Sequence, residues 1–239
     1  MGGFTRDVLK RAALFPQHQV IGRSFGRDRV GMVDMTNWTL PESHEGAAAS
    51  LYLEIFNTAT GPNRDGVGAH DLAACIQNGW VDLTRYRFIA IPEEWAAALL
   101  HDKCAVDFRG SESALHRELK WNAAGLLFLA GVPDIHMEWD APYGKRVDVG
   151  SPSHGVVIEC GSTEVWGAIS ALRSDEITSF SIITMEPSNS PDFIYTFRRS
   201  RSWPEAVKFF AKRDAELRRL QMEYADQAMA RIHPAGVQS

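Results

Sequence analysis

The sequence predicts a mixed α/β fold, and three observations carry that reading. Short apolar runs with strand-like alternation, bounded by Gly, Pro and Ser turns, recur through the second half of the chain. Segments with helical periodicity separate them. The 239 residues are 45% hydrophobic and 23% charged, which suits a globular chain able to bury a substantial core.

Residues 19–39 read as two short strands around the turn Gly26–Arg29, and 45–57 as a helix. The stretch 60–68, TGPNRDGVG, is dense in turn residues. It lacks the alternating acids and terminal Glu of a calcium loop, so calcium is not expected there. Residues 69–78 read as a short helix and Arg85–Ile91 as a strand. Pro92 opens a further helix that runs to about His101, with Glu93 and Glu94 in its first turn, where the helix dipole favours acids.

The segment 114–187 has a definite order. A helix, ALHRELKWNAAGLLFLAG, is closed by Gly131 and Pro133. A strand near Ile135–Trp139, a turn at Ala141–Gly144 and a strand at Lys145–Val149 follow. The turn GSPSHG (150–155) leads into the strand VVIEC (156–160). A helix over about Thr163–Leu172, which Ser162 and Thr163 are expected to cap, precedes the strand Ser179–Met185. Residues 203–232 form a long helix opened by Trp203-Pro204-Glu205, with Phe210, Leu217 and Tyr224 at seven-residue spacing. Three regions result: an N-terminal α/β region over 1–110, a core over 111–200, and a basic amphipathic helix over 201–239. Packing on its own domain is the expected role of that helix, and pairing with a second copy of the chain is the alternative.

The net charge of −5 supplies no global field for nucleic acid, so such binding needs a local patch. Segment 197–219 is one, with eight basic residues against three acidic. Its Arg198, Arg199 and Arg201 have the fork geometry that suits phosphate. Three scattered cysteines, Cys75, Cys104 and Cys160, make no zinc pattern and fit a reducing, cytoplasmic setting. No apolar run is long enough to cross a bilayer, and the first residues do not read as a signal peptide.

Asp148 and Glu159 stand on the strands either side of the 150–155 turn. Glu159 interrupts an apolar run, where a lone buried carboxylate is costly. A divalent cation shared with Asp148 would make its position sensible. Strand alternation puts Cys160 on the opposite, core side from Glu159.

The pattern RVDV followed by VVIECGS resembles the PD-(D/E)XK nuclease superfamily, over about a third of the chain. The resemblance implies a restriction-endonuclease-like core, a central mixed sheet flanked by helices. It implies a metal-dependent nuclease using Mg²⁺ or Mn²⁺, with DNA the expected substrate. Asp148 and Glu159 match the two strand acids, and Glu118 the helix acid, as metal-holding and catalytic residues. The departure is Gly161, where the family carries lysine. Lys120, Lys145 and Arg146 are candidate substitutes. Arg146 shares the side-chain direction of Asp148 and so could reach phosphate, whereas Lys145 points away if its strand is regular. On the helix, either Glu118 or the pair His116 and Lys120 borders the site. The family pattern favours Glu118, with Lys120 kept as the replacement cation. A non-catalytic nucleic-acid- or protein-binding descendant of the fold is the alternative.

Overall fold

A computed structural model describes residues 33–35, 39–56, 64–88, 104–105, 113–161, 163–185 and 191–232. The expected strands over 19–32 and the helix opened by Pro92 lie outside these. The chain divides into two compact units, Met1–Ser200 and Arg201–Ser239.

In the first unit the strands are β1 (Val33–Met35), β2 (Val81–Phe88), β3 (Cys104–Ala105), β4 (Ile135–Asp140), β5 (Arg146–Ser151), β6 (Val156–Cys160), β7 (Ser179–Met185) and β8 (Pro191–Arg199). Among the described residues they form one mixed sheet in the order β1-β2-β8-β7-β6-β5-β4-β3. The pairs β6/β7 and β3/β4 are parallel and the others antiparallel. The helices of this unit are α1 (His44–Ser50), continued by a π-turn over Leu51–Ile55, then α2 (Arg64–Gln77), α3 (Ala114–Leu129) and α4 (Val165–Arg173). This is the mixed α/β architecture expected, with helices flanking a central sheet.

Helix α3 starts at Ser113, whose hydroxyl accepts from the His116 backbone N–H at 3.2 Å. It ends at Gly131, which has φ +80°. The Gly131 N–H donates to Phe128 and the Val132 N–H to Leu127, a Schellman closure that only a left-handed residue completes. Between these caps Leu119, Ala123, Leu126 and Leu127 face the sheet. They pack on Ile135, Met137, Val149, Val156, Ile158 and Cys160, so Cys160 is a core residue. The opposite sheet face is covered by α1, α2 and α4. There Phe56, Phe180 and Phe197 are buried, with the Phe197 ring centroid 5.6 Å from that of Phe56 and 6.5 Å from that of Phe180.

Several boundaries depart from expectation, and β2 begins at Val81, four residues before the expected Arg85. Helix α2 begins at Arg64, inside the stretch read as a loop, so the Gly-rich sequence yields to packing: Gly68 lies against Val165 and Ile169 of α4. Helix α4 takes Glu164 as its N-cap without a side-chain bond. Thr163 does not cap it; its hydroxyl accepts from Lys145 Nζ at 3.3 Å instead. Ser162 lies outside the described residues.

The second unit is the helix α5 (Trp203–Ile232). Trp203 and Phe210 meet with ring centroids 6.2 Å apart. Arg219 is paired along the helix with Glu216 and Glu223. Leu217, Leu220 and Tyr224 are exposed.

Candidate active site

Strand register builds the site. On β4 and β5, Met137 pairs with Val149 and Trp139 with Val147, which brackets Glu138 and Asp148 as opposite residues. The β5/β6 ladder runs to Val149↔Ile158, and the next step brings Asp148 to Glu159. Three acids thus stand in one row across three strands. Like charges side by side destabilise a sheet unless cations separate them.

The ladder opens at this row. By register the partner of Cys160 is Val147, yet the Cys160 N–H donates to Asp148 Oδ2 at 2.8 Å. The carboxylate therefore occupies the gap between the strands. From there Oδ1 meets groups on α3: His116 Nε2 at 3.1 Å and Lys120 Nζ at 3.2 Å. Burial pushes the Asp148 carboxyl up. The His116 hydrogen bond, the Cys160 N–H and the charges of His116 and Lys120 outweigh it, and the net direction is down.

Lys120 is only 1% exposed and also pairs with Glu138 Oε1. Glu138 Oε2 accepts from Arg146 Nε at 2.6 Å. Glu138 has φ +56°, a left-handed conformation in the middle of a strand. That backbone twist accompanies a carboxylate that bridges Lys120 and Arg146.

Glu159 is 6% exposed, and its Oε1 has no hydrogen-bond partner among the described residues. The nearest cation is Lys145 Nζ, 3.5 Å away, an ion pair too long for a good hydrogen bond. Burial, then the charge of Asp148, push the Glu159 carboxyl up to about 7. The hydroxyl of Tyr143, in the β4–β5 turn, is likewise buried without a hydrogen-bond partner. Burial and then the charge of Glu159 raise its pKa.

The structure brings Asp148, Glu159, Lys120 and Arg146 into one cluster. Arg146 is engaged by Glu138 rather than directed outward. His116 and Lys120 are the α3 residues that reach Asp148. At about 100° per residue, Glu118 lies roughly half a helical turn away from both and does not join them. Lys145 lies in the turn just before β5, where strand alternation does not apply, and so it reaches Glu159 after all. Glu138 and Tyr143 were not singled out from sequence. Counting back across the β4–β5 turn from Asp148 is the signal that locates Glu138.

The arginine patch is dispersed. Arg198 pairs with Asp82 across β8 and β2 at 3.6 Å. Arg199 donates to the carbonyls of Leu172 and Ser174 at the end of α4. In register Arg198 meets Ser179, which meets Val156, three residues along β6 from Glu159 and so about 10 Å down the strand. Arg201 is exposed in the second unit.

No group of three or more His, Cys, Asp and Glu side chains is gathered as a metal cage among the described residues. Two convergent carboxylates, one with an unpartnered buried oxygen, fit a hard divalent cation that keeps most of its waters.

Fold and site together define a mixed α/β protein with a buried acid–base cluster at the point where its central ladder opens. Family models, curated proteins and solved structures were each compared with the chain, and none matches it. No helix among the described residues is long and apolar enough to cross a membrane.

Proposed function

We propose that this protein is a metal-dependent nuclease that hydrolyses nucleic-acid phosphodiesters, with DNA as the expected substrate and the cytoplasm as its setting. One observation carries the reading: Asp148 and Glu159 lie beside each other one step past the last pair of their strands, Val149↔Ile158, and a buried oxygen of Glu159 lacks a hydrogen-bond partner among the described residues. The resemblance of residues 114–187 to the PD-(D/E)XK superfamily supports it.

Asp148 and Glu159 would hold Mg²⁺ or Mn²⁺, which supplies Lewis-acid polarisation of the phosphate. The Cys160 N–H, His116 and Lys120 fix the Asp148 carboxylate in one orientation. Glu138 balances Lys120 and holds Arg146 beside it. Water attacks phosphorus and gives its proton to solvent, since the Glu159 carboxylate would be committed to the ion. The bond from phosphorus to the leaving sugar oxygen breaks, and that oxygen keeps the electron pair and takes a proton from solvent.

The alternative, a binding protein without hydrolysis, draws on Gly161. Its φ of +87° is one that a lysine side chain rarely adopts. A second copy of the chain pairing through α5 is the partner that the exposed Leu217, Leu220 and Tyr224 support.

Supercoiled plasmid incubated with Mg²⁺ tests the nuclease reading. Wild type should nick it and Asp148→Ala should not. Binding without cleavage under Mg²⁺, Mn²⁺ or Ca²⁺ favours the alternative.

A further inference from the structure

Two buried polar atoms without hydrogen-bond partners, Tyr143 Oη and Glu159 Oε1, belong to the same corner of the molecule. A buried donor or acceptor left unmade costs about 1–3 kcal/mol, so two together call for a common explanation. Lys145 borders the same corner, with Nζ 3.5 Å from Glu159 Oε1 and 3.3 Å from Thr163 Oγ1. Its side chain is 36% exposed, so the Lys145 stem reaches this corner from the surface.

We propose that Lys145 and Tyr143 form the phosphate-oxygen site of this cluster. The proposal rests on the nuclease reading and names the groups that touch its substrate.

The backbone supports the assignment. The β4–β5 turn is closed by the Ala141 N–H to Lys145 carbonyl bond at 2.9 Å and the Gly144 N–H to Ala141 carbonyl bond at 3.0 Å. It presents Tyr143 and Lys145 two residues apart, at the mouth of the opened ladder. Room for the ammonium comes from Gly167 on α4, where an added Cβ would stand 2.8 Å from Lys145 Nζ.

Lys120 is the competing cation, and its surroundings argue against it. It is 1% exposed and pairs with both Glu138 and Asp148. A phosphate oxygen would have to displace two carboxylates from a buried ammonium to reach it. Lys145 faces one carboxylate across an open ion-pair distance. Lys145 and Tyr143 contribute one ammonium and one hydroxyl donor, which together suit a non-bridging phosphate oxygen. The chemical class of ligand is therefore a phosphate ester.

The test uses the full chain with Mg²⁺ and inorganic phosphate as the probe, read by thermal unfolding. Phosphate should raise the wild-type Tm by about 3–6 °C, the shift of roughly tenfold ligand excess over Kd in a chain of this size. Lys145→Met and Tyr143→Phe should each abolish the rise. Lys145→Arg should keep part of it, which shows that the charge matters and that the turn still folds. Plasmid cleavage is measured in parallel and should fall at least 100-fold in Lys145→Met, mostly in kcat. An unchanged phosphate shift in Lys145→Met, or no shift in wild type, overturns the assignment. Wild type that shows the shift but cleaves no nucleic acid keeps the phosphate site and removes the nuclease reading. Cleavage by Lys145→Met within threefold of wild type removes the catalytic role of Lys145.

Discussion

The Cys160 backbone N–H donates to the side chain of Asp148, not to the backbone of β5. One residue thereby does two jobs. The carboxylate satisfies a strand donor that the opened ladder would orphan, and it stands where α3 and β6 can both reach it. Asp148→Ala removes the acceptor and takes one of its carboxylate partners from Lys120. We expect a loss of about 2–4 kcal/mol in urea unfolding. Asp148→Asn, which keeps an acceptor for Cys160, should lose less stability but the same cleavage activity. Equal stability losses in the two variants would remove this role of the backbone bond.

Lys120 is a buried ammonium between two carboxylates. Removing one member of such a cluster leaves an uncompensated charge, so Lys120→Met should cost about 3–5 kcal/mol. Adding Glu138→Gln to that variant should restore part of the loss, because it removes one of the two carboxylates, Glu138 and Asp148, that Lys120 had separated. A double-mutant cycle in chemical denaturation reads the coupling, and additive losses would contradict it.

Gly161 stands at φ +87°, and its N–H donates to the Ile183 carbonyl at 2.8 Å. Gly161→Lys puts a side chain on a left-handed backbone, at a cost of about 1–3 kcal/mol. A lysine at this position should therefore lower Tm and should not raise the cleavage rate. A faster Gly161→Lys variant would show that the backbone adapts.

The raised carboxyl of Glu159 links stability to pH. The folded chain holds that proton up to about pH 7, against an ordinary value of 4.5. Its stabilising contribution is complete below the ordinary value and is lost as pH rises through about 7. Asp148 works in the opposite sense, since its lowered carboxyl contributes above its ordinary range and loses that contribution on acidification. Glu159→Gln isolates the first effect. Relative to wild type it should be more stabilising at pH 8 than at pH 5 in metal-free buffer, by urea unfolding. A pH-independent difference would refute the linkage.

Arg199 serves the fold. Its guanidinium closes the end of α4 through two carbonyls. Arg199→Ala should cost about 1–3 kcal/mol through the lost charged hydrogen bonds. Its affinity for a DNA duplex, by fluorescence anisotropy, should change less than twofold.

Much of this architecture was legible in the sequence where local chemistry and packing agree. The hairpin that carries Asp148 and Glu159 is bounded by GSPSHG, and period-two alternation correctly put Cys160 in the core. Helix α3 is legible from its apolar run and its closure at Gly131 and Pro133, while its cap at Ser113 emerges only in the structure. Strand β8 is hard to read because its run PDFIYTFRRS ends in arginines that look like a surface patch. Lys145 stands in the turn before β5, where strand alternation carries no information about its direction. Glu138 escaped notice because its role depends on a left-handed φ and on a cross-strand neighbour, neither of which has a local signature. The start of α2 hid among turn residues that tertiary packing turned helical.

Strand β2 lies between β1 and β8, with Val81 opposite Arg199. The early strand must therefore wait for a partner more than a hundred residues downstream. During synthesis it emerges long before that partner, with its hydrogen-bonding edge open to other chains. Long-range closure of this kind slows folding and exposes the nascent chain to aggregation. Any shortened version that stops before Pro191 would leave both β2 and β7 as raw edges, and it should accumulate in inclusion bodies.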